Sequence, residues 1–123
     1  AYYASSRLDG HKGIIAVQSG IEIGNFDRAV QIIREQLDAM EAGDITDAEM
    51  NLTKAMLANH LREMTENAYE MIGYDFNGVL SGRERTVESL LEEIRGVTVG
   101  DVSAFAHDVQ LDTIYFLRDR KED

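Results

Sequence analysis

The three histidines are the first candidates for chemistry in this 123-residue sequence, because imidazole can bind a metal or act as a general base. A metal or hydrolytic site needs several ligands that converge from fixed spacings. His11 lies in a polar segment typical of a turn, and His107 lies beside Asp108 in a short helical pattern. Neither histidine has partners at ligand spacing, so the sequence predicts that both are solvated surface residues.

The third histidine begins the run His60-Leu61-Arg62-Glu63-Met64, which follows the zinc-binding pattern His-x-x-Glu-His as far as its glutamate. Met64 stands where the pattern has its second histidine, and a thioether does not replace imidazole on zinc. An amphipathic helix explains the run more simply, with Leu61 and Met64 facing inward and His60 facing outward. The sequence therefore predicts no metal ligand in this run and no catalytic residue in the chain.

The charged residues exclude some classes of partner. The formal net charge of −11 repels phosphates and anionic lipid headgroups, and no block of Lys or Arg offsets it, so we expect neither nucleic-acid nor membrane binding. The carboxylates between residues 35 and 47 follow one helix and its loop, which favours a solvated face over a site. The absence of cysteine excludes thiolate ligands and nucleophiles and is consistent with a cytoplasmic protein.

Two β-prone runs open the sequence, at residues 2–7 and 14–22, and the segment between them contains Asp-Gly and a second glycine. This pattern predicts a β-hairpin. The second run is largely apolar on both faces at its start, which favours a strand inside a sheet. Because the first run begins at Tyr2 without a leading cap or turn, we expect the sequence to start inside a larger fold.

Cap residues and apolar stripes predict five helices after the hairpin. Their expected N-caps are Asn25, Thr46, Asn67, Thr86 and Thr98. The β-prone run 111–117 then closes the sequence, and we expect it to pair with the hairpin. The order β-β-α-α-α-α-α-β predicts an α+β fold, with a small antiparallel or mixed sheet and helices packed on one face. We expect residues 1–123 to form a single domain.

Four segments carry a family resemblance: the opening run 1–6 before the hairpin, the strand end 19–22, the helix start 44–49 and the closing run 111–117. Together they resemble the pitrilysin/insulinase family of zinc metallopeptidases, over nearly the whole chain. The chain is most similar to the C-terminal domain of bacterial, processing-peptidase-like members. The resemblance implies that zinc is held elsewhere, by a His-x-x-Glu-His helix in the N-terminal half of an active parent protein.

The resemblance also implies one substrate-binding residue, Tyr2. In the family, an Arg-x-x-x-x-x-x-Tyr pattern lies across the chamber from the zinc and contacts the substrate, and Tyr2 matches its tyrosine. The phenol could donate a hydrogen bond to a peptide carbonyl or to developing negative charge. The matching arginine would lie seven positions before Tyr2, ahead of the first residue. The alternative is that Tyr2 and Tyr3 are ordinary alternating strand residues.

Three hypotheses for function remain open. The first is a C-terminal, substrate-chamber fragment of an insulinase-like zinc metallopeptidase, which contacts peptide and the missing N-terminal half or a paralogous subunit but is inactive alone. The second is a piece of a non-catalytic paralogue that acts as a partner or scaffold. The third is an unrelated acidic domain whose sheet edge recruits a partner strand. An exposed strand edge would also promote self-association.

Overall fold

The computed structural model describes residues 3–82 and 84–119. Two strands are followed by a 3-10 turn at Ile23–Asn25 and five helices, which confirms the α+β class and the predicted order up to the last helix. The elements are β1 Tyr3–Asp9, β2 Ile14–Gly20, α1 Phe26–Glu41, α2 Asp47–Thr65, α3 Ala68–Ser81, α4 Val87–Gly96 and α5 Val99–His107.

The hairpin forms where the sequence predicts it. β1 and β2 pair antiparallel, in a register that runs from Tyr3 opposite Gly20 to Asp9 opposite Ile14. The Asp9 carboxylate accepts hydrogen bonds from the backbone N–H groups of two turn residues, at 3.1 and 3.2 Å. Gly13 completes the turn with a φ of +64°, which glycine adopts without steric cost. Local turn chemistry therefore fixes the hairpin.

Four of the five predicted N-caps accept a hydrogen bond from the backbone of the first helical turn: Thr46, Asn67, Thr86 and Thr98. These bonds satisfy N–H groups that have no partner within the helix. Asn25 differs, because its side chain makes no capping bond. The 3-10 turn leads into α1 instead, with the Asn25 N–H donating to the Glu22 carbonyl at 2.9 Å. Asn25 therefore takes the predicted N-cap position of α1 without the side-chain hydrogen bond of a cap.

The helices pack on one another in two groups. α2 lies against α3 and α4, and α1 lies against α5. Leu61, Met64 and Val87 are buried at the centre of the first group. In the second group, the Ser103 hydroxyl donates to the Glu41 carbonyl at 2.6 Å, which ties α5 to the end of α1. Hydrophobic burial in the described residues is therefore centred on helix contacts.

The sheet is smaller than the sequence predicts. Within the described residues it contains only β1 and β2, and residues 111–117 do not form the expected third strand. The Phe116 ring instead stacks on Phe26 at the start of α1, with ring centroids 4.3 Å apart and planes at 15°. Strand propensity expresses packing on a pleated surface more than an intrinsic backbone preference, and this aromatic stack offers the segment a different contact.

The helices also do not cover the sheet, contrary to the prediction that they pack on one of its faces. Leu8, Ile15 and Val17 are exposed on the hairpin although they are apolar. The described helices make their main contacts with one another and the two strands make theirs with each other, which leaves the hairpin uncovered by the described residues. None of the helices in the described ranges is both long and apolar enough to cross a membrane.

Candidate functional site

The candidate site lies at the end of the hairpin where β1 begins. Tyr2, the substrate-binding residue that the resemblance implies, lies outside the described residues. The described chain starts at the next residue, Tyr3, which is the first residue of β1. The site is therefore described from β1, the strand that follows Tyr2 in the sequence.

Tyr3 and Gly20 form a tightly matched cross-strand pair at this end. The two residues lie opposite each other, and the Tyr3 ring lies over the glycine. A Cβ atom built on Gly20 would lie 2.6 Å from Cε1 and 2.9 Å from Cδ1 of that ring, which is closer than real Cβ contacts. Any larger residue at position 20 must displace the ring. In the sequence Gly20 is recognisable only as part of a strand end, because the cross-strand register is not visible before the pairing is known.

A side-chain hydrogen bond reinforces the same end of the hairpin. The Ser19 hydroxyl donates to the Tyr3 carbonyl oxygen at 2.9 Å. Together with the Tyr3–Gly20 pair, this bond holds the start of β1 against the end of β2. The first residue of β1 is thus held by both its partner residue and a side-chain hydrogen bond.

The register of the hairpin gives its two faces different character. Alternation along the strands places Leu8, Ile15 and Val17 on one face. Tyr3 and Arg7 lie on the other face, which is more polar. The first face offers apolar contacts to whatever covers it, whereas the second offers a phenol and a guanidinium.

The edges of the hairpin are open to strand addition. In an antiparallel pair, alternate residues direct their N–H and C=O groups away from the partner strand. Within residues 3–82 and 84–119, no third strand takes up these groups on β1 or β2. An extended peptide can bind such an edge through its main chain. The described hairpin therefore presents strand edges with the main-chain groups that strand addition requires.

His60 lies on the exposed side of α2, and Leu61 and Met64 face the buried cluster, as the amphipathic interpretation of the run predicts. The residue that breaks the zinc pattern is thus a core residue. Across the described residues, no group of three or more His, Cys, Asp or Glu side chains is arranged to hold a metal ion. His11 is exposed in the hairpin turn, between β1 and β2.

His107 has a partner that the sequence did not reveal. Its Nδ1 atom lies 2.8 Å from Oε1 of Glu41, although both side chains are largely exposed. The contact joins the last turn of α5 to the last turn of α1, and the two residues are 66 positions apart. No sequence signal could have predicted it, because it depends on the packing of two helices. Its position suits a structural contact between helices.

Asp101 is the described carboxylate whose acidity the structure clearly changes. The backbone N–H and the hydroxyl of Thr98 hold its pKa below the ordinary value, and Lys54 adds a smaller effect in the same direction. Asp101 accepts from the Thr98 N–H at 2.9 Å, and its own N–H donates to the Thr98 hydroxyl at 3.1 Å. This is a capping box at the start of α5, so the lowered pKa reflects helix structure.

A shallow depression lies between the end of α3 and the loop before α4. Tyr74, Asp75, Glu84 and Arg85 line it. The Tyr74 hydroxyl donates to the Arg85 carbonyl at 2.7 Å, and the Arg85 guanidinium pairs with Glu93 at 2.5 Å. The Tyr74 hydroxyl and the Arg85 guanidinium are thus engaged in holding the loop between α3 and α4.

Comparisons with known proteins give the chain a context. No family model matches it. It is 39% identical over 118 residues to a probable inactive metalloprotease, YmfF, from Bacillus subtilis, covering 96% of this chain and 28% of that protein. It is 30% identical over 110 residues to an uncharacterized zinc protease from Mycobacterium leprae, covering 87% of this chain and 25% of that protein.

A solved structure, described as a conserved protein from Enterococcus faecalis, is also similar, with a TM-score of 0.77 and 30% identity. The similarity covers 87% of this chain and 25% of that one. The chain therefore spans about a quarter of the length of the relatives that it matches. These similarities support a relationship to a metalloprotease-like family. The chain corresponds to one part of the longer proteins that it matches.

Proposed function

We propose that this chain forms part of the peptide-binding wall of an insulinase-like metallopeptidase, and that zinc and its ligands belong to another part of that protein. The observation that carries the proposal is the open hairpin that begins directly after Tyr2, in a chain similar to proteins named as metalloproteases. Among the described residues no third strand pairs with the hairpin, so its edges are available to a peptide. Tyr2 precedes the first strand in the sequence and supplies a phenol.

The physical basis is strand addition combined with one oriented hydrogen bond. An extended peptide gains main-chain hydrogen bonds along a strand edge, and these bonds are independent of its sequence. The Tyr2 hydroxyl then donates to a peptide carbonyl and fixes its position. A hydrogen bond of this kind contributes about 0.5–1.5 kcal/mol, which is a roughly two- to tenfold change in affinity.

The test is the substitution Tyr2→Phe in the complete polypeptide that contains this sequence. We expect the Kd for an unstructured peptide to rise by roughly two- to tenfold, because the phenol hydrogen bond is lost and the ring is kept. Fluorescence anisotropy of a labelled peptide gives the measurement. Tyr115→Phe, at an exposed tyrosine outside the hairpin, is the matched control and should leave Kd nearly unchanged. An unchanged Kd in the Tyr2→Phe variant would remove Tyr2 from the proposal.

A second candidate is that the parent protein is a non-catalytic paralogue acting as a partner or scaffold. The relative with 39% identity is named as a probable inactive metalloprotease, which favours this reading. Zinc content and peptidase activity of the complete polypeptide separate the two candidates. Bound zinc with zinc-dependent cleavage supports the first, and peptide binding without zinc supports the second. Zinc-dependent proteolysis by the 123-residue chain alone would contradict both.

The third hypothesis, an unrelated acidic interaction domain, is disfavoured. The similarity to the B. subtilis protein covers 96% of this chain, so the sequence is not isolated from the metalloprotease-like proteins.

A further inference from the structure

Helix α3 is apolar on two opposite sides. Met71 and Tyr74 pack toward the buried cluster with α2 and α4. On the other side, five large apolar residues are each more than half exposed. These residues, here called the outer stripe of α3, are Tyr69, Ile72, Phe76, Val79 and Leu80. Their spacing of three and four places them along one face of the helix.

The composition of α3 is that of a helix between two layers. Glu70 and Asp75 are its only charged residues from Ala68 to Ser81. A helix that is apolar all round is typical of a buried position, whereas a surface helix has a polar outer face. Gly73 lies four residues after Tyr69 and three before Phe76, and a Cβ there would meet nothing within 4 Å. Glycine inside a helix costs about 1 kcal/mol relative to alanine, so a close contact on this side would explain it.

The exposed area of the whole chain supports the same interpretation. The accessible surface is 10325 Å². A compact monomer of 13.8 kDa is expected to expose about 6,600 Å². The excess is about 3,700 Å², beyond the scaling for a folded monomer. The outer stripe therefore belongs to an exposed surface that is larger than a compact monomer of this mass presents.

A second copy of the chain fits this surface poorly. A standard protein–protein interface buries about 800 Å² of each partner and an obligate dimer roughly 1,000–2,500 Å², both less than the excess. Each copy would also bring a formal net charge of −11, and two such copies repel each other. By contrast, the matching proteins have most of their length outside the matched part, since the chain covers 28%, 25% and 25% of them.

We propose that the outer stripe of α3 packs against another segment of the same polypeptide, one that lies outside these 123 residues. The segment that covers it presents an apolar surface and approaches the helix backbone closely at Gly73. The proposal rests on the sequence of α3, the exposed area and the length of the relatives. It does not depend on peptide binding, so it can fail while the proposed function stands.

The test measures thiol accessibility in the complete polypeptide that contains this sequence. These 123 residues contain no cysteine, so a single reporter thiol is available after any cysteines elsewhere are replaced by serine. Val79→Cys places the reporter on the outer stripe with little change in size. Glu92→Cys is the control, because the Glu92 side chain on α4 is 77% exposed. The rate of reaction with a chromogenic disulfide reagent is measured for each.

We expect the thiol at position 79 to react at least about tenfold more slowly than the thiol at position 92, and at the same rate once both proteins are unfolded. Ile72→Cys provides a second reporter on the stripe if the first variant does not fold. Equal rates in the folded proteins would overturn the proposal, because the stripe would be open. Protection that disappears on dilution would also overturn it, because a second copy would then be the cover.

Discussion

The α2–α3–α4 helices and the β1–β2 hairpin are both predicted by local sequence signals, but they differ in how far their residues bury each other. The helices enclose a cluster in which Leu61 is only 9% exposed. The hairpin leaves Leu8 65% exposed, although its backbone pairing runs along both strands. A helix closes its hydrogen bonds internally and needs only neighbouring stripes, whereas a sheet needs further layers and strands. A secondary-structure element can therefore form completely while its apolar side chains stay exposed.

The largest expected effect comes from truncating the helical cluster. Leu61→Ala should lower the free energy of unfolding of the chain by roughly 2–4 kcal/mol, because it leaves a cavity beside Met64 and Val87. Leu8→Ala is the matched control and should change it by less than about 0.5 kcal/mol, because the side chain is mostly exposed. Urea unfolding followed by circular dichroism measures both. Equal losses would mean that the hairpin is as well packed as the helices.

A smaller effect is expected at the matched end of the hairpin. Gly20→Ala should destabilise the pairing by roughly 1–2 kcal/mol, because the new Cβ overlaps the Tyr3 ring. Hydrogen exchange of the β1 and β2 amides measures the loss of protection. Tyr3→Ala in the same chain should remove the overlap, so the double variant should lose less than the two single changes together. If the losses of the two single changes simply add in the double variant, the Tyr3 ring does not lie against residue 20.

The smallest expected effect is a difference in stability between removing the N-cap side chain of α5 and removing that of α1. Thr98→Ala should cost about 1 kcal/mol, because it removes one side of the capping box of α5. Asn25→Ala should cost close to nothing, because the Asn25 side chain makes no capping bond to α1. Thermal unfolding of both variants gives the comparison. A comparable loss of stability in Asn25→Ala would mean that the Asn25 side chain caps α1 after all.

Residues that act locally were predicted well. The capping box of Thr46 and Glu49 needs only a spacing of three, and both of its hydrogen bonds form, each at 3.1 Å. The inward position of Met64 follows from helical periodicity and explains why it is not a zinc ligand. The run 111–117 was predicted wrongly as a strand, because strand propensity depends on the packing partner and Phe116 stacks on Phe26 of α1 instead of joining the hairpin.

The candidate site was predicted only in part. Tyr2 came from a family resemblance and stays a prediction, because it lies outside the described residues. The pairing of Tyr3 with Gly20 could not be read from the sequence, since the two residues meet only after the register is set. The contact of His107 with Glu41 was likewise hidden, because it requires α5 to pack on α1.

The sequence by itself determined the hairpin turn and the starts of four helices, because these depend on interactions between residues a few positions apart. Only the tertiary structure decided that the helices pack on each other and that Phe116 stacks on Phe26. It also decided that the outer stripe of α3 stays exposed within the described residues. Such outcomes depend on which surfaces compete for burial, and that competition involves residues far apart in the chain.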